Sequence, residues 1–452
     1  MRGNGVGRLT RRAALLGGVG LLAGCESITE SFDSIFGEKK VPLRGDRLPV
    51  LEAERPIGVD EGNEIPVTLP PPELNADWPQ AGGTIGHAPG HPALGQGLNQ
   101  AWRSSIGSGS AYRRRLIAPP IVAGDAVYAV DALGEVTALE RSGGRRRWSF
   151  DSRKEEDRDG ALGGGIAFAD GTLYLVTGLA EVMALDPADG QPRWRVDLPA
   201  PARGALTVAD GRIFVITTEN HLLALSVEDG RKLWTYRGQP TTTMALGLPA
   251  PAVEGEIVVA GFASGELAAV RASDGRALWS ETLASAGGGG LADIAAITAL
   301  PVIDRNRVFA SGLGGITIAI DLRSGRRLWE RDVAAAETPW LAGDWMFLMT
   351  TGGDLVCLGR DDGRVRWLRS LGRYTDEAKR RGPILWGPPM LAGGRLLVAG
   401  STARLMEINP TNGEITGQSR LPDAVLQQPA IAGGVLYALT EDAEVVALQG
   451  AA

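Results

Sequence analysis

Thr317-Ile-Ala-Ile-Asp-Leu-Arg-Ser-Gly-Arg-Arg-Leu-Trp329 reads as an apolar strand, a polar turn closed by Gly325 and a second strand that carries Trp329. The glycine stands four residues before the tryptophan. The same offset recurs as Gly144/Trp148, Gly190/Trp194, Gly230/Trp234, Gly275/Trp279 and Gly363/Trp367. Asp-Gly at 189, 229, 274 and 362, with Ser324-Gly325 and Asn412-Gly413, supplies the positive φ that a tight hairpin requires. Working outward, each hairpin follows an apolar stretch, a Gly/Asp turn and an alternating strand. The unit over 120–139 sets the pattern, which returns over 166–185, 206–225, 252–270, 302–320, 341–358, 390–408 and 431–448. Successive tryptophans from Trp148 lie 46, 40, 45, 50 and 38 residues apart, the length of four short strands and three turns. The spacing predicts an all-β chain forming an eight-bladed β-propeller over 98–452.

The last unit has three strands and no fourth before the chain ends. The segment Leu98 to Arg103 carries Trp102 without upstream strands of its own, so it is expected to supply the missing strand and close the ring. Trp102, Trp148, Trp194, Trp234, Trp279, Trp329 and Trp367 are then the docking residues, each lying flat on the neighbouring blade. Burial of such a ring stabilises by on the order of 2–3 kcal/mol. The seventh unit departs from the pattern, with Gly417 in the tryptophan slot. That seam is expected to be the weakest, or to be filled by a loop such as the one bearing Trp386.

The chain has 452 residues and 63 glycines, and a net charge of −7 leaves no cationic excess to follow a phosphate backbone. Nucleic acid is excluded as an expected ligand. Two cysteines and three histidines give no basis for a disulfide scaffold or a zinc site. His87 and His91 share a GH-x-x-GH spacing, but no third ligand is near and the glycine flanks suggest tight backbone packing. His221 has no nucleophile in a recognisable elbow beside it.

Residues 1–24 read as an export signal: Arg2, Arg8, Arg11 and Arg12 precede an uncharged run that is too short to span a bilayer. Leu22-Ala23-Gly24-Cys25 resembles the lipobox of bacterial lipoproteins, making Cys25 the expected lipidation site. Cleavage there takes the charge from −7 to −11, because four arginines and no acids leave. The paired arginines fit a twin-arginine export route as well as an ordinary one. Residues 25–74 are proline-rich and read as a tether, 75–97 as an ordered lead-in, and 98–452 as the propeller.

Asp186-x-x-x-Gly190-x-x-x-Trp194 and Asp321-x-x-x-Gly325-x-x-x-Trp329 resemble the tryptophan-docking repeat of quinoprotein propellers. Dehydrogenases with that repeat use a vicinal cysteine pair, a calcium site and a catalytic aspartate. Here there is no Cys-Cys, and Cys357 stands alone in an apolar strand, so no enzyme, cofactor or metal is expected. Lipobox, spacer and eight units together resemble the BamB family, the lipoprotein subunit of the outer-membrane β-barrel assembly machinery.

That resemblance implies a periplasmic scaffold, lipid-anchored at the outer membrane, which acts as a monomer within a hetero-complex. It would bind the barrel-inserting subunit, and nascent outer-membrane proteins as a further partner. Two neighbouring loops would carry the interface, Thr241 to Leu248 and Leu291 to Ala296. Met244, Leu246 and Asp293 match the family pattern, whereas Ala245 and Ala295 stand where an arginine and a second aspartate are expected. Glu26 after the cysteine leaves inner against outer membrane retention open. A propeller that holds a quinone or glycan in its channel, or a general protein-interaction platform, is the alternative. The insertion over 373–386, which mixes cations with aromatics, is either a second contact surface or a solvated loop.

Overall fold

The computed structural model describes residues 57–62, 65–112, 114–154, 163–241, 247–283 and 295–451. Among these residues, eight four-stranded antiparallel sheets follow one another around a ring. Blade 3 is representative, with strands Thr207–Ala209, Arg212–Ile216, His221–Ser226 and Lys232–Arg237. Its first three strands are almost wholly buried because the blade packs on a neighbour at each face, while the outer strand exposes alternate residues. The eighth blade is composite. Gln96–Ser105 pairs antiparallel with Glu444–Ala451, outside Val435–Leu439 and Ala430–Ala432, so the two ends of the chain close the ring as the repeat arithmetic requires.

One row of residues runs across each blade. Tyr128 lies opposite Ala138, which lies opposite Trp148, and the small alanine lets the two rings meet. Tyr174–Ala184–Trp194, Phe214–Ala224–Trp234, Phe309–Ala319–Trp329, Phe347–Cys357–Trp367 and Tyr437–Ala447–Trp102 repeat the arrangement. The ring centroids of these six pairs lie 5.9 to 6.2 Å apart. Cys357 therefore occupies the alanine position of blade 6, and burial pushes its thiol well above the ordinary range. Cys357→Ala is expected to cost at most about 1 kcal/mol, because six other blades already carry alanine there. A fall in thermal midpoint beyond that would mean the thiol makes contacts that the alanines do not.

Each tryptophan also reaches the next blade. The indole N–H of Trp194 donates to the Val227 carbonyl at 3.1 Å, and that of Trp279 to the Leu322 carbonyl at 2.7 Å. Trp102, Trp148, Trp234, Trp329 and Trp367 donate to Arg141, Pro187, Ala272, Arg360 and Pro410 in the same way. The ring of each lies over the turn glycine. A Cβ at Gly190, whose φ is +76°, would stand 2.6 Å from the Trp148 ring, so this residue answers both to backbone conformation and to space.

The seam between blades 7 and 8 is different. Leu397, Glu407 and Gly417 form its row, and Glu407 pairs with Arg395 at 2.9 Å. Blade 8 has no turn between its third and fourth strands, since these belong to opposite ends of the chain, and so it offers no turn glycine to receive a ring. Trp386 does not fill the gap. Its indole donates to the Gly372 carbonyl at 2.8 Å and packs on Gly400. The lead-in fills the role instead: Arg395 donates to the Gly95 carbonyl at 2.7 Å and Gln96 to the Gly393 carbonyl at 2.8 Å.

The same lead-in crosses every blade in turn. Asn75 accepts from Gly433 of blade 8, Trp78 exchanges two backbone bonds with Val122 of blade 1, and Pro79 accepts from Phe168 of blade 2. The Gln80 side chain bonds both polar backbone groups of Val208 in blade 3. Ile85 accepts from Val253, Gly86 from Ile303, Gly90 from the Trp340 indole and Pro92 from Gly393. Each of these partners lies at or beside the turn joining the first two strands of its blade, so the lead-in seats against that face of the ring. Packing also begins earlier than the expected boundary at 75. Asp60 pairs with Arg331 at 3.0 Å and accepts from the Val365 N–H, and Val67 is buried. The tether expected over 25–74 thus includes a docked portion. Residues 1–56, with Cys25, lie outside the described residues.

Candidate functional site

Alternating strand direction places the connection between blades, and the turn between second and third strands, on the face opposite the lead-in. One contact marks this loop face repeatedly: Leu198 N–H to Ala180 O, Gly238 to Asn220, Leu283 to Gly265, Leu371 to Gly353 and Leu421 to Ala403. The two connections singled out in the sequence are neighbours here, one on each side of the 262–265 turn of blade 4.

Their stems are built on a buried polar cluster. Glu266, only 3% exposed, accepts the Tyr236 hydroxyl at 2.7 Å and the Gln239 N–H at 2.6 Å. Burial and the Glu266 carboxylate together push the Tyr236 hydroxyl above its ordinary pKa, which keeps it a donor. Asn220 donates to the Gln239 carbonyl at 2.7 Å, and Tyr236 packs on Phe262 with centroids 6.0 Å apart. These contacts fix the exit of the 239–248 connection, and its return is held by Leu248 N–H to the Arg203 carbonyl. The next connection leaves through Leu283 N–H to Gly265 and returns through Ile297 N–H to the Phe262 carbonyl at 3.1 Å. The blade 4 turn and Glu266 beside it thus fix the exit of the first loop and both ends of the second. Met244, Leu246 and Asp293 lie outside the described residues.

Two of the three histidines, His87 and His91, are spent on structure. His87 Nδ1 lies 2.7 Å from the Pro301 carbonyl, and burial lowers its pKa to about 4. His91 accepts the Gly394 N–H at Nε2, so its Nδ1 carries the proton and donates to the Pro70 carbonyl. Among the described residues no group of His, Cys, Asp and Glu has metal-holding geometry. A cleft of about 510 Å³ at the ring closure is lined by Trp102, Tyr437, Arg141 and Arg147 among others. Its cations are already engaged, Arg147 with Asp125 at 2.7 Å and Arg141 with the Gly124 carbonyl at 2.9 Å.

Sequence reasoning missed the Asn220–Tyr236–Glu266 cluster. Glu266 directly follows a Ser-Gly turn, where an acid reads as a solvated turn residue, and only the folded register shows that it faces inward.

The family described as outer membrane protein assembly factor BamB matches residues 132–369 and 370–452. The protein of that name from Escherichia coli (strain K12) is 31% identical over 355 residues, covering 77% of this chain and 88% of that one. The Legionella pneumophila (strain Paris) protein is 26% identical over 195 residues, 42% of this chain and about half (48%) of that relative's length. Among solved structures, BamB from Moraxella catarrhalis superposes with a TM-score of 0.66 at 21% identity, over 78% of this chain and 100% of that one. Quinohemoprotein alcohol dehydrogenase from Comamonas testosteroni gives 0.65 at 14% identity, over 83% and 81%, so ring architecture alone does not separate catalyst from scaffold. Sequence separates them: the chain belongs to the BamB family of outer membrane protein assembly factors and is not an enzyme.

Proposed function

We propose that the protein is a lipid-anchored scaffold on the periplasmic side of the outer membrane, which holds the barrel-inserting subunit of the assembly machinery against its loop face. The carrying observation is the pair of adjacent connections rooted on the Glu266 cluster, on the face that the lead-in leaves open. A ring tied at seven seams by tryptophan and at the eighth by the lead-in changes shape little, so a partner meets a preorganised surface. Met244 and Leu246 supply apolar contact and Asp293 a charge. Without an arginine at 245 or a second aspartate at 295, the interface leans on apolar burial. Cys25 carries the lipid in this reading.

The test measures the affinity of the purified full chain for the periplasmic domains of the barrel-inserting subunit. Met244→Glu with Leu246→Glu is expected to weaken binding roughly a hundredfold, as for two central apolar anchors, and Asp293→Ala by less. Glu228→Ala, on the opposite face, should leave it unchanged. Binding by the wild type that the double variant does not reduce would remove these loops from the interface.

A further inference from the structure

We propose that the hairpin formed by Tyr374–Asp376 and Arg381–Pro383 is a second docking element on the loop face, engaging an acidic surface of the same protein partner. The inference rests on the scaffold reading above. The hairpin sits in the connection between blades 6 and 7, which runs over 371–389, whereas the preceding connection needs only 332–339. It lies about a quarter-turn around the ring from the two loops at blade 4, within reach of one partner lying across the face.

The base is fixed. Trp386 is buried and donates to Gly372, the Ile384 N–H donates to Arg373, and Leu385 and Ser401 exchange two hydrogen bonds across to blade 7. The tip is fixed as well, since the Thr375 hydroxyl donates to the Arg381 carbonyl at 3.2 Å. Both acids of the hairpin are committed to it. Glu377 accepts the N–H groups of Arg373 and Tyr374, which hold its carboxyl below the usual range. Asp376 accepts the Lys379 N–H and pairs with its ammonium at 3.4 Å.

Four exposed cations, Arg373, Lys379, Arg380 and Arg381, stand against these two acids, so the hairpin is cationic on balance. Arg380 and Arg381 are exposed and have no acidic partner among the described residues, and Leu385 beside them is 55% exposed. Further round the same face, in the connection between blades 8 and 1, Arg114 and the 96% exposed Tyr112 continue this character. In a chain of net charge −7, a rigid cationic projection attracts acidic surface locally where the whole molecule repels it. Rim charges of this kind act mainly on the rate of encounter.

The experiment follows association of the full chain with the periplasmic domains of the barrel-inserting subunit across a salt series. The variants are Arg380→Glu/Arg381→Glu and the milder Arg380→Ala/Arg381→Ala, each checked for an unchanged thermal midpoint. The expected result is an on-rate lower by about five- to tenfold at low salt for the reversal, with a shallower salt dependence and an unchanged off-rate. The alanine pair should fall between. Flotation with phosphatidylglycerol vesicles runs in parallel. Unchanged on-rates while the wild type binds would overturn the hairpin's role and leave the scaffold reading standing. Vesicle binding lost in the variants, with no change in partner association, would reassign the cations to lipid. No binding by the wild type would refute the scaffold reading itself.

Discussion

Trp78→Ala is expected to destabilise the ring by about 3–5 kcal/mol, the range for emptying a buried tryptophan site. Trp78 is 1% exposed, stacks on Trp340 with centroids 6.3 Å apart, and lies so close to Gly83 that a Cβ there would stand 2.9 Å from the indole. Its own backbone pairs with Val122, so the side chain holds a segment that touches all eight blades in order. The indole N–H has no hydrogen-bond partner among the described residues, so the loss is one of packing rather than of a polar contact. The expected sign is a lower guanidinium midpoint with little change in slope. A loss below about 1 kcal/mol would show that the lead-in rests on the ring without supporting it.

The second large effect is on pH dependence and comes from the same segment. His87 is buried and neutral, with a pKa lowered from 6.5 to about 4 by loss of hydration. Above pH 6.5 neither the folded nor the unfolded chain protonates it, and its contribution is fully present. Between 6.5 and 4 the unfolded chain takes up a proton that the folded chain refuses, so stability falls as pH falls, by roughly 3 kcal/mol in total. Glu337 acts in the opposite sense. Burial raises its carboxyl to about 8, so the stability linked to it is present below 4.5 and is lost as pH rises through 8. The clean reading is therefore the difference between wild type and His87→Asn, asparagine being tolerant of the positive φ at this position. That difference should be flat above pH 6.5 and shift by roughly 3 kcal/mol, against the wild type, by pH 4. A flat difference throughout would mean that His87 is hydrated.

The blades were legible because their signal is local. A glycine at positive φ and a tryptophan four residues on lie within one hairpin, and no long-range information is needed to see Gly230 and Trp234 as a unit. Ring closure was legible by bookkeeping, since Trp102 had a docking residue and no blade. The sequence offered an ordered lead-in over 75–97 but not its path across the blades, because its bonds to Val122, Val253 and Ile303 are backbone to backbone and leave no mark on residue type. The seventh row shows the same boundary: Gly417 announces a missing ring, but nothing near it announces that Arg395 reaches the Gly95 carbonyl. Among the candidate interface residues, the sequence named loop tips, whereas the structure adds what roots them, Asn220, Tyr236 and Glu266.

The most direct test of the scaffold account is site-specific photocrosslinking in the native membrane, with the photoreactive residue at Arg237 on the loop face or at Glu228 on the opposite face of the same blade. Both side chains are exposed. The account predicts a crosslink to the barrel-inserting subunit from position 237 and none from 228. A crosslink from 228 alone, or none from either position in membranes where the complex is intact, would contradict it.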